Sequence, residues 1–382
     1  MAPEPEEAPH EGKGSGPRRP EGCACEERAA GAGPQAPRRQ SWPPAPGSCA
    51  ALPGITQGGL RKAMAELAAG VKPWRRGSFR RIAKLQDAVR NHGHVYAMQC
   101  RSRPGAVVAV KGMPNEWMCS GPEAFEERHR GEPEKPWVDA GIVRELNRLR
   151  YPYACDLLGI FSNGARTFVV TSLASQGDLF TWSANAPCVG SEREALMRPI
   201  AAQVCVAVHW LHELGVAHRD LSLENVLLTH STKPGVEVPR VKLVDFSMAQ
   251  PSHIGAGAYF GKPSYRAPEV HLQPEYDAFA SDAFALGVVL HGMAARAMPW
   301  PSTSPTGPFA EACKLGMAAF LQRRLARCFT PGLLAVLAGL LEPEPGLRMG
   351  LGEACFARAP EGQRGSVWAL PWWGEAGCSC AP

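Results

Sequence analysis

The order of hydrophobic and polar positions divides the chain into a strand-rich part followed by a helix-rich part. Three short apolar runs, at 93–99, 106–111 and 167–173, are rich in β-branched and aromatic residues and predict β-strands. Helical patterns dominate after the third run. The pattern therefore predicts an α+β fold with a small β-rich lobe followed by a larger, mainly α-helical lobe.

Two helices are predicted from hydrophobic spacing. Apolar residues repeat at four-residue intervals from Glu192 to Leu214, and Ser191 with Glu194 matches the S-x-x-E pattern of a capping box. Segment 283–290 is apolar on every face, which is typical of a helix buried in the core.

The two ends of the chain differ in composition from its middle. Residues 1–58 are rich in Pro, Gly, Ala and Glu and have few aliphatic side chains, so they are expected to be disordered. Residues 59–77 are interpreted as a linker or short helix, and the folded domain is expected at 78–350. The tail at 351–382 contains three tryptophans, which are expected to dock back on the domain: Trp368, Trp372 and Trp373.

Charge and cysteine content add few constraints. A net charge of +5 is mild and predicts neither nucleic-acid binding nor a membrane surface. The 13 cysteines lack the spacing of a zinc module, and no secretory signal is recognised, so reduced thiols in a cytoplasmic protein are expected, with the nucleus not excluded. No apolar run is expected to span a bilayer.

Two polar loops carry residues suited to phosphoryl transfer, which needs bound phosphates, a metal to neutralise their charge and an oriented acceptor hydroxyl. In HRDLSLEN at 218–225, Asp220 is predicted to accept the proton of the acceptor hydroxyl or to orient it, and Asn225 to bind Mg²⁺. In VDFS at 244–247, Asp245 is predicted to bind the Mg²⁺ that bridges the phosphates. Solvated loop carboxylates are the alternative for each motif alone.

A strand that ends in VAVK supplies the remaining cation. Lys111 is predicted to point at the α- and β-phosphates, and Ala109 to present a small face to adenine. A lysine at the end of an apolar strand is more often a surface residue, so this motif has weight only beside the two loops.

Further motifs follow in order: GKPSYRAPE at 261–269, SDAFALG at 281–287 and then Arg348. With these, the chain resembles the eukaryotic protein kinase family across roughly 79–350, as an atypical, serine/threonine-kinase-like branch. The resemblance implies a bilobal kinase fold, with the N-lobe at about 78–173 and the C-lobe at about 174–350. It also implies that Glu269 pairs with Arg348 and that Asp282 caps the catalytic loop.

The resemblance places a nucleotide pocket between the lobes. Thr171 falls at the gatekeeper position, and the hinge that would bind adenine through its backbone is Ser172, Leu173 and Ala174. Asp178 matches a position that faces the ribose or a basic substrate residue.

The glycine-rich loop departs from the family pattern. Gly93 and Val95 align with its last glycine and its valine, but Ala88 and Arg90 replace the first two glycines. The backbone cradle for phosphate is therefore expected to be weaker, with Arg90 adding a charge.

The helix partner of Lys111 is ambiguous. Glu145 lies seven residues before Pro152, whereas the family spacing of about ten residues points to Ile142. Glu145, one turn along the same helix, is the predicted partner.

Two positions near Asp220 depart together. Serine/threonine kinases have lysine at the position of Ser222 and threonine at the position of Lys262. We predict that Lys262 lies beside Asp220 and Ser222 and supplies the missing positive charge, and that both belong to the catalytic set. A solvent-facing Lys262 is the alternative.

These residues predict a protein kinase that uses ATP and Mg²⁺ on protein substrates, with serine/threonine specificity. A pseudokinase that acts as a binding module is the alternative, because the glycine-rich loop is altered. A small-molecule kinase is disfavoured, because the APE segment builds a platform for peptide substrates.

Overall fold

The computed structural model describes residues 54–88, 91–103, 105–230, 239–257, 260–357 and 364–374. Its first lobe contains a six-stranded sheet in the order β1-β5-β6-β4-β3-β2. The β1–β5 pair is parallel and the other neighbours are antiparallel. The strands are β1 (Lys72–Pro73), β2 (Phe79–Ala88), β3 (Gly93–Cys100), β4 (Val107–Pro114), β5 (Leu157–Ser162) and β6 (Arg166–Ser172).

The three strands predicted from apolar runs are present as β3, β4 and β6. Strand β2 was not predicted because its residues are mostly exposed and its sequence, FRRIAKLQDA, lacks an apolar run. Strand β5 was missed because its apolar run is short and contains a glycine.

Helices dominate the second lobe, which confirms the predicted two-lobed α+β fold. Over both lobes, the helices of the described residues are α1 (Gln57–Ala69), α2 (Asn115–Met118), α3 (Pro122–Arg128), α4 (Pro136–Arg148), α5 (Leu179–Asn185), α6 (Ser191–Glu213), α7 (Glu269–Leu272), α8 (Ala278–Ala295), α9 (Pro308–Leu315), α10 (Met317–Leu325), α11 (Pro331–Leu340) and α12 (Ala354–Ala357). Two antiparallel strand pairs follow α6 in the chain: β7 (Val226–Thr229) with β8 (Arg240–Leu243), and β9 (Ile254–Ala256) with β10 (Glu275–Asp277).

Helix α8 forms the centre of the second lobe and contains the buried helix predicted at 283–290. Its 18 residues are long and apolar enough to cross a membrane by length and composition, which corrects the expectation that no such run exists. Because 89% of α8 is buried inside the protein, its apolar surface is used in the core.

The folded part begins earlier than the expected Ser78. Thr56 caps α1 by accepting a hydrogen bond from the Gly59 N–H, and the Ile55 N–H donates to the Leu214 carbonyl at 2.8 Å. Leu60 is buried, and α1 packs along α4. Residues 54–58 are therefore ordered, and most of the segment interpreted as a linker is helix. The rest of the predicted disordered extension lies outside the described residues.

The segment between β4 and α4 builds a second, smaller core. Trp117 from α2 packs edge-on against Phe125 from α3, with ring centroids 5.3 Å apart. The indole N–H of Trp137 donates to the Met118 carbonyl at 2.7 Å. These aromatic side chains anchor the start of α4, the helix that approaches Lys111.

The tryptophans of the tail dock on the second lobe, as expected. Trp372 is fully buried, and its indole N–H donates to Glu194 Oε1 at 2.7 Å. Glu194 also accepts from the Thr330 N–H at 2.9 Å. The predicted capping box is therefore wrong: Gly190 precedes α6, and Glu194 holds the tail instead of the helix end.

Candidate active site

Helix α8 fixes the start of the catalytic loop. Asp282, buried in α8, accepts hydrogen bonds from the backbone N–H groups of His218 and Arg219, at 2.7 and 2.8 Å. The contact has the geometry that the family resemblance implies for this aspartate. Asp220 is the next residue, so this contact fixes the backbone that carries it.

A short chain of hydrogen bonds connects the two polar loops. The side-chain amide of Asn225 donates to the Asp220 carbonyl at 2.8 Å and to Asp220 Oδ2 at 3.1 Å. The Asn225 carbonyl accepts from the Val244 N–H at 3.1 Å, directly before Asp245. Asp220, Asn225 and Asp245 therefore form one unit, although they come from two loops.

Lys111 from β4 reaches this unit from the other lobe. Its Nζ lies 4.0 Å from Asp245 Oδ1 and 3.7 Å from Asp139 Oδ2. Asp139 Oδ1 also accepts a hydrogen bond from the Phe246 N–H at 3.0 Å. Asp139 therefore links Lys111 to the backbone that positions Asp245.

The predicted partner of Lys111 is wrong. Glu145 pairs with Arg148 on its own helix, with 2.9 Å between Oε2 and Nη2. Six residues separate Asp139 from Glu145, which is about 9 Å along a helix and about 240° around it. The partner belongs to the first turn of α4 because the Lys135 N–H donates to the Ser247 carbonyl, which fixes the helix start beside Asp245. Ile142 lies in the main core.

Asp139 carried a signal in the sequence: an acidic residue in the first turn of a helix that starts at a proline. Asp139 lies three residues after Pro136, whereas the family spacing measured back from Pro152 pointed to Ile142 and Glu145.

The charges of this cluster are interdependent. Burial by itself lowers the pKa of Lys111, but the carboxylates of Asp245 and Asp139 outweigh burial and raise it. Burial raises the pKa of Asp139, with Lys111 opposing this effect and Asp245 adding to it. For Asp245, burial is outweighed by Lys111 and by hydrogen bonding from Ser247, and its pKa is lowered. Lys111 and Asp245 are therefore the pair whose charged forms are favoured.

The donor atoms near Asp245 fit a hard cation. Asp245 Oδ1 is buried, and no hydrogen-bond donor reaches it in the described part of the chain. Because the amide nitrogen of Asn225 is engaged by Asp220, its side-chain oxygen is the atom that would bind a cation. One carboxylate, one amide oxygen and substrate phosphates form the kind of ligand set that Mg²⁺ uses.

The predicted pocket residues lie around this cluster. Ala109 is paired in register with Thr171 on β6, and Lys111 with Val95 on β3. Strand β6 ends at Ser172, and Leu173 and Ala174 continue into the second lobe outside any helix or strand.

Two other predicted pocket residues already have structural contacts. The Ser172 N–H donates to the Asp156 carbonyl at 2.9 Å, so this N–H is not available to a base. Asp178 caps α5, with Oδ1 accepting from the Thr181 N–H at 2.7 Å. Its proposed contact with ribose therefore depends on the second carboxylate oxygen.

The start of β3 and the residues just before it pack closely against the rest of the lobe. A Cβ on Gly93 would lie 2.5 Å from the Gly112 carbonyl, so glycine is required here by strand packing. Asn91 is buried, accepts from the Trp117 indole and donates to Glu134 Oε2 at 2.7 Å. Arg90, predicted to contact phosphate, lies outside the described residues.

The segment after Asp245 is anchored at its far end by a buried ion pair. Arg348 donates to both carboxylate oxygens of Glu269, with N–O distances of 2.5 and 2.9 Å. This bidentate contact has the geometry that the family resemblance implies, and it fixes the segment carrying Lys262 against the second lobe.

Lys262 reaches the catalytic loop. Its Nζ donates to Ser222 Oγ at 2.9 Å and lies 2.9 Å from Glu224 Oε2. The predicted contact with Ser222 is present, and the ion pair with Glu224 was not predicted. Lys262 is therefore not a free, solvent-facing side chain.

Comparison with known protein families agrees with this site. The family model described as "Protein kinase domain" matches residues 91–357, which is more than half of the chain. The chain belongs to the protein kinase family.

Several characterised kinases are similar to this chain. CBL-interacting protein kinase 22 of Oryza sativa subsp. japonica is 30% identical over 269 residues, covering 66% of this chain and 55% of that protein. NUAK family SNF1-like kinase 2 of Rattus norvegicus is 30% identical over 193 residues, covering 48% and 29%. Serine/threonine-protein kinase SRK2J of Arabidopsis thaliana is 33% identical over 168 residues, covering 43% and 47%. The alignments thus span about half of these relatives or less.

Proposed function

We propose that this protein transfers the γ-phosphoryl group of ATP to serine or threonine hydroxyls of protein substrates, with Mg²⁺ as the metal. The observation that carries the proposal is the continuous set of contacts from Asp220 through Asn225 to Asp245, and from Asp245 to Lys111. These residues come from three separate segments, and together they supply the groups that phosphoryl transfer requires.

Each residue has one role in this proposal. Lys111 binds the α- and β-phosphates, and Asp139 with Asp245 keeps its amino group charged and in place. Asp220 orients the acceptor hydroxyl or accepts its proton. Asp245 and Asn225 hold the metal, which when bound neutralises charge on the phosphates.

The nucleotide is expected between the lobes. Its base would lie against Ala109 and Thr171 and hydrogen-bond to the backbone of the hinge, from Ser172 to Ala174. Its ribose would face Asp178. Val95 would cover the nucleotide from β3, Gly93 at the start of β3 would lie near the phosphates, and Arg90 is expected to add a positive charge for them.

Protein substrates and serine/threonine specificity are supported by two features. The catalytic loop closes with Glu224-Asn225, a serine/threonine-like pattern, and one relative is named a serine/threonine-protein kinase. The buried Glu269–Arg348 pair holds the segment that would receive a peptide.

Departures from the common pattern favour an atypical branch of the family. Asp139 stands in for the usual glutamate, and Ser222 and Lys262 replace the usual lysine and threonine. Ser247 stands at the position of the glycine in the Asp-Phe-Gly motif of the family. A cytoplasmic location, expected from cysteine usage, is part of the proposal and is tested by cell fractionation.

A pseudokinase remains the alternative outcome of the test. No contact in the described residues favours it, because Lys111, Asp220, Asn225 and Asp245 are all present and connected. A chain without catalysis has no chemical reason to keep all four.

The test is a phosphotransfer assay of the purified full chain with radiolabelled ATP, Mg²⁺ and a mixture of generic protein substrates. Phosphoserine and phosphothreonine are expected in the product, and none with the Asp245→Asn variant. Equal labelling by the two proteins, or labelling by neither, would contradict the proposal.

A further inference from the structure

The segment after Asp245 enters the acceptor side of the site at Gly261. Gly261 has φ of +77°. A Cβ there would lie 3.1 Å from the Arg219 carbonyl and 3.7 Å from Asp220 Oδ1. The chain therefore passes directly over Asp220 at this glycine, and the next residue is Lys262.

The backbone of Lys262 is fixed. Its carbonyl accepts hydrogen bonds from the N–H groups of Tyr265 and Arg266, at 3.0 and 3.1 Å. The Tyr265 hydroxyl in turn accepts from the Leu223 N–H of the catalytic loop at 3.3 Å. The lysine stem therefore starts from a defined point against the loop that carries Asp220.

The ammonium group is also held in place. Ser222, its hydrogen-bond partner, is fully buried, whereas the Lys262 side chain is 30% exposed. With Ser222 and Glu224 as partners, the ammonium group is held against the catalytic loop, while part of the lysine side chain stays exposed.

From Asp220 onward, the catalytic loop provides no cation. The six residues from Asp220 to Asn225 include two carboxylates and no lysine or arginine. A phosphoryl group that passes beside Asp220 would meet only negative or neutral side chains from residues 220–225, and the guanidinium of Arg219 is engaged by Gln250, Ala256 and Tyr276. Charge that develops on the transferring oxygens needs a fixed cation nearby.

We propose that Lys262 contacts the γ-phosphoryl group and is a catalytic residue of this protein, with Ser222 and Glu224 as positioning residues for its ammonium group. The proposal rests on the proposed function and deepens it, because it assigns the acceptor-side cation to the segment after Asp245. In the competing explanation, Lys262 only neutralises Glu224.

A binding measurement tests this contact without turnover. Isothermal titration compares a non-hydrolysable ATP analogue, AMP-PNP, with ADP, both with Mg²⁺, in wild type and in Lys262→Met. The preference for AMP-PNP over ADP is expected to fall about fivefold to tenfold in the variant, because one charge-assisted contact to the third phosphate is lost. ADP affinity is expected to stay unchanged, which also shows that the variant is folded.

Two control variants sharpen the result. Lys314→Ala removes an exposed lysine on α9 and is expected to keep the wild-type preference. Lys262→Arg keeps the positive charge and is expected to retain most of the wild-type preference for AMP-PNP over ADP. An unchanged preference in Lys262→Met, or no preference in wild type, overturns the proposal.

Kinetics separate phosphoryl contact from simple neutralisation. Lys262→Met is expected to lower kcat about tenfold or more. If Lys262 only neutralised Glu224, the double variant Lys262→Met with Glu224→Gln would recover wild-type kcat. If it contacts the phosphoryl group, that double variant stays impaired, whereas Ser222→Lys with Lys262→Thr recovers much of the loss.

The outcomes also separate this inference from the proposed function. Wild-type kcat in Lys262→Met, with an inactive Asp245→Asn, overturns the role of Lys262 and leaves the kinase activity intact. If wild type transfers no phosphate, the proposed function fails, and the AMP-PNP measurement still decides whether Lys262 contacts the third phosphate.

Discussion

Asp139 lies 3.7 Å from the amino group of Lys111 and accepts a hydrogen bond from the Phe246 N–H through its other carboxylate oxygen. One side chain thus connects Lys111 to the backbone next to Asp245. Movement of α4 would therefore change both contacts together, which makes the position of α4 a determinant of activity.

This relationship predicts different effects for two acidic residues of α4. Asp139→Asn is expected to lower kcat/KM roughly tenfold to hundredfold, because Lys111 loses a charged partner. Glu145→Gln is expected to stay within about twofold of wild type, because Glu145 contacts Arg148 and not Lys111. Steady-state kinetics over a range of ATP concentrations checks both. The reverse order of effects would restore Glu145 as the partner.

Asp220 is predicted to act on the acceptor and not on the nucleotide. Asp220→Ala should lower kcat about a hundredfold or more, the scale of a lost general base. Its affinity for ADP with Mg²⁺ should stay within about twofold of wild type. Titration calorimetry checks the affinity, with Asp245→Ala as the variant that should lose metal-dependent binding. Equal loss of nucleotide binding in both variants would assign Asp220 to the nucleotide site.

Arg219 could bind a phosphate attached to the segment between Ser247 and Gly261, here called the activation loop. In this structure Arg219 already has other partners, so phosphorylation is not needed to hold the loop. Its guanidinium donates to Gln250 Oε1 at 2.7 Å, to the Ala256 carbonyl and to the Tyr276 hydroxyl. Between Ser247 and Gly261 the sequence has two hydroxyl side chains that a phosphate could modify, Ser252 and Tyr259. Ser252 bonds within its own turn, and Tyr259 lies outside the described residues.

We therefore predict that Ser252→Ala, Tyr259→Phe and phosphatase-treated wild type each retain kcat within about twofold. The activity assay is combined with mass spectrometry of the same samples, which establishes the phosphorylation state. A loss of activity that parallels the loss of phosphate at either residue would show that the loop is switched.

His212 is predicted to make stability depend on pH. Burial alone would lower its pKa, but hydrogen bonds to Asp282 and Glu353 outweigh burial and raise the pKa to about 9 from 6.5. A raised pKa stabilises the folded state fully below pH 6.5, and this contribution is lost as pH rises through about 9.

The free energy of unfolding of wild type should therefore fall relative to His212→Gln between pH 6.5 and 9, by on the order of 3 kcal/mol. Urea denaturation at a series of pH values measures the difference. Glu353→Gln should move the fall to lower pH, because one partner of the imidazolium is neutralised. Parallel curves for wild type and His212→Gln would show that His212 does not titrate in this range.

Much of the candidate site could be predicted from sequence because its residues lie in short motifs. Asp220 and Asn225 share one loop, and Asp245 lies in a second loop 20 residues later, so spacing along the chain nearly fixes their spacing in space. Lys111 was likewise predictable from the apolar strand that carries it, although β4 continues to Pro114 and does not end at the lysine as expected. The roles of these residues remain proposals.

The sequence by itself determined the two-lobed fold and the loops that carry the polar residues, because hydrophobic periodicity and motif spacing are local properties. Only the tertiary structure decided that Asp139 faces Lys111, that Glu194 holds Trp372 and that α1 packs along α4. A helix pattern shows which residues share a face, but not which turn of that face meets a distant lysine. That choice depends on where each helix starts and what its ends contact, which is settled by packing between segments far apart in the chain.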